Sequence, residues 1–329
     1  MKILLTGATG LLGRAVSARL INRNDINLIG LAFSRAKPPT LKRDITDFDA
    51  ISKLCQEIRP DFVIHAAAER RPDIVDNDPE RAQKLNVGAT ANLARACRSC
   101  GARMIYLSTD YVYDGTNPPY RPESPVNPLN EYGKLKLAGE LAVAENLGET
   151  KSGETLSKAG GLVLRIPMLY GPVERLEESS VTELALYLKA RKPCNIDDWS
   201  TRYPLHVDDV AAAIEILVDI WLSQPEKIEA ARKGNEPKGA NLPLFLLSGP
   251  VGITKYGMVL EMAKALGIDA SFVNPVKSPP STGAPRPKDC RMDTGRLVSL
   301  GYAPHHVFRD ELKTILEPFF SVKSPFWLT

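Results

Sequence analysis

Residues 2–13, KILLTGATGLLG, constrain the fold of this chain more than any other stretch. A short apolar run (Ile3, Leu4, Leu5) leads directly into Gly7, Gly10 and Gly13, and Leu12, Val16 and Leu20 then recur at helical spacing. The pattern is strand, tight turn, helix. The first glycine permits the turn, the second lets a pyrophosphate approach the backbone, and the third lets helix and strand pack closely. Phosphates then sit at the helix N-terminus, where unpaired N–H groups and the dipole favour negative charge. Such glycines also occur in flavin-binding and purely structural turns. Their position between this strand and this helix points to a dinucleotide, with Thr6, Thr9, Leu11 and Leu12 joining the three glycines as expected contacts.

The remaining sequence limits what such a turn serves. At 329 residues the chain suits a nucleotide-binding domain plus a smaller one, and 43% apolar content can bury a sizeable core. A net charge of +3, mixed along the chain, does not suit nucleic acid. No apolar run reaches membrane-span length and no leader precedes the first strand, so a cytoplasmic protein is expected. Five cysteines argue against a disulfide framework. Cys97 and Cys100 form a CxxC inside a helical pattern without a second ligand pair, and no metal is expected there or elsewhere. His65 ends an apolar run and His206 lies in YPLHVDDV; a histidine at a strand end is more often structural than ligating.

Strand and helix patterns alternate through the first half: strands at 28–33, 62–65 and 104–108, helices at 48–58 and 79–100. This predicts an α/β fold, a Rossmann-type doubly wound parallel sheet with a smaller C-terminal α/β lobe. Residues 1–166 form the expected NADP-binding domain. Residues 167–329 supply the remaining sheet strands and the substrate or partner lobe, with a strand at 244–247 and helices at 180–190, from about 208, and at 255–266. Two polar stretches, 148–160 and 224–241, read as mobile surface insertions. The second strand ends in Phe33-Ser34-Arg35 with no acid to bind ribose hydroxyls, which favours NADP(H), Arg35 taking the 2′-phosphate with Ser34 assisting. Asp44, with Ile45, is placed at the adenine edge. Ala66, Ala67 and Ala68 let backbone lie against the cofactor, and beyond the charged loop Glu69-Arg70-Arg71-Pro72-Asp73 the helix at 79–100 carries Asn86 early on, placed with the cofactor contacts.

Tyr132 and Lys136 stand four apart at the head of a helical segment and share a face. A free phenol titrates near pH 10, so acid–base work near neutrality needs a nearby cation, a role the spacing gives to Lys136. Ser108-Thr109-Asp110 ends the fourth strand, at the carboxyl edge where such sheets bind ligands. Thr109 is placed to hold a reacting oxygen while Tyr132 moves its proton.

With these features together, the sequence resembles the extended short-chain dehydrogenase/reductase superfamily over essentially its whole length: GATGLLG, STDYVYDG, the Tyr132/Lys136 pair and RIPMLYG (165–171) all match. Within it, dTDP-4-dehydrorhamnose reductases are similar at 108–115 and 127–136. Regulatory beta subunits of methionine adenosyltransferase are more similar still, through AAERRPD (67–73), DGTNPPYR (114–121), LRIPMLYG with the VExLEES pattern after it (173–179) and a GAxRP segment (283–287). These are loops, which vary most between families. The resemblance implies NADP(H) at Gly7, Gly10, Gly13, Arg35 and Lys136, with Ser108, Tyr132, Ile166 and Leu169 beside it, and a reductase triad of Thr109, Tyr132 and Lys136. It assigns Glu69, Arg70, Arg71, Asp110, Tyr111 and Arg165 to a substrate or partner.

Two readings follow. The chain is an NADP-binding regulatory subunit that docks on a catalytic methionine adenosyltransferase, or an NADPH-dependent reductase of a 4-keto-6-deoxy nucleotide sugar; a nucleotide-binding scaffold is the plain third. The apolar tail, with Phe326, Trp327 and Leu328, either docks on the partner or folds back onto its own lobe.

Overall fold

The computed structural model describes residues 1–148, 159–232 and 242–321. Seven strands form one sheet: β1 (Lys2–Thr6), β2 (Asn27–Ala32), β3 (Leu41–Lys42), β4 (Phe62–His65), β5 (Arg103–Thr109), β6 (Gly160–Ile166) and β7 (Leu244–Leu246). Their spatial order is β7-β6-β5-β4-β1-β2-β3, with every pairing parallel. The order reverses between β1 and β4, the switch point at which doubly wound sheets bind ligands. Thr6 and His65 are register partners there, so the glycine turn and the three alanines leave the sheet side by side.

Helices cover both faces, as strands buried on both sides require. On one face α1 (Leu11–Leu20) packs against a helix from far along the chain, Val207–Ser223, and Leu12, Val16, Ile214 and Leu217 share a core with Ile3 and Leu5. The opposite face carries α2 (Phe48–Ile58), α3 (Ala89–Cys100) and α4 (Glu131–Leu147), with Leu4, Val63, Met104 and Leu93 between them. Labelling Val207–Ser223 as α5 makes the topology plain: the chain returns to the sheet after residue 166 and adds both a helix and strand β7. A third core, around Tyr170, Leu188, Met258, Met262 and Leu312, belongs to the smaller lobe, built on α6 (Lys255–Leu266) and α7 (Phe308–Phe320).

Strands and helices expected in the first half stand within about a residue or two of their predicted ends, except that 79–100 is interrupted. A π-helical turn, Lys84–Gly88, precedes α3 and carries Asn86. Its amide clasps the charged loop: Asn86 Oδ1 accepts from Glu69 N at 2.9 Å and Asn86 Nδ2 donates to Glu69 O at 2.9 Å. In the second half Cys194–Asp197 pairs with Val273–Val276, and neither this pair of strands nor α7 was anticipated. The stretch 224–241 is corrected in part: Pro225–Ala230 is a helical turn anchored by fully buried Ile228, because one isoleucine at the right place suffices to pin a short amphipathic turn. Residues 149–158, 233–241 and 322–329, and with them Trp327, lie outside the described residues. Among the described residues no helix is long and apolar enough to cross a membrane.

The buried polar groups at the switch point form one chain of hydrogen bonds. Thr90 Oγ1 donates to Asn86 O at 2.8 Å, so it must accept from His65 Nε2 at 3.0 Å. His65 Nδ1 then accepts from Thr6 Oγ1 at 2.7 Å, while Thr6 Oγ1 accepts from Ala67 N at 3.3 Å. This arrangement needs a neutral imidazole, and burial beside Lys136 lowers the His65 pKa from 6.5 to about 3. His65 is therefore a satisfied structural histidine. As pH falls from 6.5 toward 3 the unfolded chain takes up a proton that the native imidazole refuses, so stability is lost across that window. His65→Gln is expected to cost about 1–3 kcal/mol at pH 7 by weakening two buried hydroxyl contacts. Urea titrations from pH 7 to 4 should show a flatter loss for the variant than for wild type.

Candidate active site

The cradle after β1 exists because two positions lack a side chain. Gly7 has φ +70°, and a Cβ there would lie 2.9 Å from Ala67 N; one on Gly13 would lie 2.1 Å from Gly7 O. The close approach of α1 to the turn is open only to glycine. Gly10 is the N-cap of α1 and gives it no side-chain cap, while its N–H donates to Gly7 O at 2.8 Å. The first-turn N–H groups are thus left for an anion, and partly buried Ala66, Ala67 and Ala68 keep the opposite wall low. The residues present fit a dinucleotide.

Beyond β2, Phe33 is 59% exposed and Ser34 is exposed. Arg35 donates from Nη1 to Glu178 Oε1 rather than standing free in solvent. Asp44 is exposed and accepts from Thr46 N at 2.9 Å and Thr46 Oγ1 at 2.8 Å. Ile45 is buried with Leu4 and Leu31, which makes it core beneath the site more than a surface contact. Thr6 is likewise fully buried and acts by holding His65, whereas Thr9 offers its carbonyl to Arg14 Nη1 at 3.1 Å.

At the carboxyl end of β5 Thr109 lies beside Tyr132, and Lys136 follows one helical turn further along α4. Asn130 caps α4 by accepting from Gly133 N at 2.9 Å, which sets Tyr132 and Lys136 in its first two turns. Thr109 Oγ1 accepts from Tyr111 N at 3.2 Å and donates to Asp110 Oδ1 at 3.1 Å, with the Tyr132 phenol in its neighbourhood. The Tyr111 ring stands edge-on to Tyr132 at 6.1 Å. The ionisation of the pair corrects the sequence expectation. Burial pushes the Tyr132 phenol well above its ordinary range, against the opposing influence of Thr109 and Arg70. Burial also brings the Lys136 pKa down to about 7 against the pull of Glu140, and its Nζ sits 4.0 Å from the centroid of the Tyr106 ring. Desolvation penalises the charged form of both groups, so Lys136 is not the strong cation that the spacing suggested.

Arg165 and Ser108 also need correction. Arg165 is 2% exposed and gives Nε and Nη2 to the two Glu140 oxygens at 2.8 and 2.6 Å, with Nη1 on the Tyr113 hydroxyl at 2.7 Å. Ser108 Oγ donates to the same carboxylate at 2.5 Å. The guanidinium and the hydroxyl are engaged in holding β5, β6 and α4 together beneath the site, which is a framework role and not the one expected of them. Ile166, the last residue of β6, and Leu169, three positions on, are both partly buried.

Asp110 is buried and its pKa is raised by that burial to about 6, against the attraction of Arg202. Arg202 itself escaped the sequence reading, since a lone arginine in TRYPLHV carries no distinguishing signal. It is 3% exposed, donates Nη1 to Thr201 O at 3.0 Å and Pro287 O at 2.9 Å, and lies 5.9 Å from the Tyr111 ring centroid. Its Nε and Nη2 have no hydrogen-bond partner among the described residues. Buried donors of a guanidinium are seldom left unpaired, so these two atoms call for an acceptor, whether a water or a ligand.

The charged loop is braced from three sides. Glu69 Oε1 accepts from Arg71 Nε at 3.2 Å, Arg70 Nη2 donates to Glu178 O at 2.7 Å, and Asp73 takes Ala284 N at 3.1 Å and Arg286 Nη2 at 2.8 Å. The AAERRPD and GAPRP segments, distant in sequence, therefore meet over the cleft. His206 accepts from Asp208 N at 3.2 Å as the N-cap of α5 and stacks on His306 at 3.9 Å, a structural placement.

A family model described as the RmlD substrate binding domain matches residues 1–321. The chain belongs to that family. Methionine adenosyltransferase 2 subunit beta of Bos taurus is 41% identical over 319 residues, 97% of this chain and 88% of that protein. The dTDP-4-dehydrorhamnose reductase of Streptomyces griseus is 30% identical over 319 residues, covering 94% of this chain and 91% of its own. The solved dTDP-4-dehydrorhamnose reductase of Bacillus anthracis in complex with NADP superposes with a TM-score of 0.74 at 22% identity, over 96% of this chain and 98% of that one, and so shares the fold.

For this RmlD-family chain the buried Glu140–Arg165 pair should be the more fragile part of the site. Arg165→Met strands an uncompensated carboxylate and is expected to cost about 3–5 kcal/mol. Adding Glu140→Leu should recover much of that loss, which denaturant melts of the single and double variants can measure.

Proposed function

We propose that this chain is an NADP(H)-binding regulatory beta subunit of methionine adenosyltransferase, working in the cytoplasm by docking on a catalytic subunit and tuning S-adenosylmethionine synthesis. The observation that carries it is the 41% identity to a protein named as that subunit over 97% of this chain. It is supported by the loops that carry the resemblance, which sit together over the cleft, Asp73 bound to Ala284 and Arg286. The dinucleotide is held by the Gly7–Gly13 cradle and the alanine wall, with Phe33, Ser34 and Arg35 at its adenosine end and Thr109, Tyr132 and Lys136 at its nicotinamide end. A bound reduced nicotinamide supplies a hydride. The protein's side would be Tyr132 giving a proton to an oxygen held beside Thr109. Burial leaves that phenol a reluctant acid and Lys136 half neutral near pH 7, which suits a site kept for binding.

A second reading, an NADPH-dependent reductase of a 4-keto-6-deoxy nucleotide sugar, is favoured by the two unpaired donors of buried Arg202, which await an acceptor near Tyr111. Copurification with a catalytic methionine adenosyltransferase, followed by S-adenosylmethionine assays with and without this chain, tests the first reading. Association should persist in Tyr132→Phe, which removes only the transferable proton. Absence of association, together with dTDP-4-keto-sugar reduction that falls about 10²- to 10⁴-fold in Tyr132→Phe, would replace the regulatory reading by the reductase one.

Arg35→Ala is expected to weaken NADP(H) relative to NAD(H), since a guanidinium gives a phosphate charge-assisted hydrogen bonds worth about 1.5–3 kcal/mol. Titration calorimetry with both nucleotides measures it, and an unchanged preference counts against the assignment.

A further inference from the structure

In sequence, β2 ends without the acid that reads ribose hydroxyls in NAD-binding folds, and Arg35 stands in its place. In space an acid is there. Glu178, 143 positions further on, places Oε1 on Arg35 Nη1. Its other oxygen, Oε2, accepts from Arg14 Nη2 at 2.7 Å and from Glu174 N at 3.1 Å. The Glu178 side chain is 4% exposed, whereas those of Arg14 and Arg35 are 28% and 42% exposed. The two guanidinium groups and the Glu174 amide outweigh burial and keep its carboxyl below the usual range, so it is anionic near neutrality.

The carboxylate is also fixed in place. Arg70, from the loop after β4, donates to Glu177 O at 3.2 Å and Glu178 O at 2.7 Å, and Arg14 Nη2 reaches Pro172 O at 3.4 Å. Arginines from the first turn of α1, from beyond β2 and from beyond β4 thus converge on one strap, residues 172–178. All three start at edges of the cleft where the dinucleotide is placed. Arg14 and Arg35 bring two positive charges and Glu178 removes one, so the adenosine end presents about half the charge that its arginines suggest. Arg35 still has Nε and Nη2 to offer a phosphate, because a guanidinium carries five N–H donors.

We propose that Glu178 is the positioning residue that sets how far this chain prefers a 2′-phosphate to a 2′-hydroxyl: it aims Arg35 and offsets its charge, holding the preference for NADP(H) over NAD(H) to a modest level. The inference rests on the nicotinamide dinucleotide reading above and specifies its selectivity. Glu178→Gln keeps the shape and, through its one remaining oxygen, the Arg14 and Glu174 hydrogen bonds; it removes the negative charge and turns an amide NH2 toward Arg35 in place of an acceptor, which frees that guanidinium. A 2′-phosphate gains from that loss, and a 2′-hydroxyl does not.

Titration calorimetry of the full chain with NADP+ and with NAD+ tests this, with thermal melts confirming that each variant is folded. The ratio of Kd for NAD+ to Kd for NADP+ should rise about tenfold in Glu178→Gln, the scale of one charge-assisted hydrogen bond, and more at low than at high salt. Glu178→Asp, which draws the charge back by one methylene, should move the ratio the same way by less, and it carries the test if the Gln variant does not fold. In an Arg35→Ala background the Glu178→Gln effect should vanish, because it acts through that guanidinium. A ratio that stays level or falls, or an effect that survives without Arg35, overturns the role of Glu178 while leaving the cofactor reading standing. Wild-type protein that binds neither nucleotide overturns both.

Discussion

The site depends first on the contact between the glycine turn and α1. A Cβ at Gly13 would fall 2.1 Å from Gly7 O, so the helix can begin where it does only because two positions carry no side chain. From that approach follow the uncapped N-terminus of α1, the anion cradle, and the packing of Leu12 and Val16 onto Ile3 and Leu5 that covers one face of the sheet. Across the switch point, His65 transmits the constraint to the next loop. Its ring links Thr6 on β1 to Thr90 on α3, and Thr90 bonds to Asn86, whose side chain clasps Glu69. The charged loop over the cleft is therefore anchored to the same register pair, Thr6 with His65, that aligns the two central strands.

Two arginine–carboxylate groupings do different work at different depths. Glu140 and Arg165 are almost wholly buried, bidentate, and completed by Ser108 and Tyr113, leaving the guanidinium no free edge. Such a pair contributes alignment between elements more than net stability. Glu178 is buried, though less completely than Glu140, and its partners Arg14 and Arg35 keep a solvent-facing edge, so that grouping can still respond to a ligand. Burial of the cation, more than the presence of an ion pair, separates the framework from the site. Arg202 is the third case: buried like Arg165, yet with two donors that have no partner among the described residues.

Legibility varied with the range of the interaction. The glycine turn, the strand ends at Thr109 and His65, and the four-residue spacing of Tyr132 and Lys136 were readable because each is a local pattern of one strand or one helix. Which arginines reach a ligand was not. Arg165, expected at a substrate or partner, is core; Arg202 carries no signal and lies buried beside Tyr111 with two donors unpaired among the described residues. The ionisation of Tyr132 and Lys136 was misjudged for a related reason, since spacing reports proximity along a helix and desolvation depends on everything packed around it.

By itself the sequence determined the alternation of strands and helices, the parallel doubly wound sheet and the place of the cofactor cradle, because backbone sterics and apolar periodicity act over a few residues. Tertiary structure alone decided which charges survive at the surface of the site. Glu178 meets Arg35 across 143 positions, and Asp73 meets Arg286 across 213. The free energy of a charge is set by its neighbours in space and by the water they exclude, and neither is written in the order of residues along the chain.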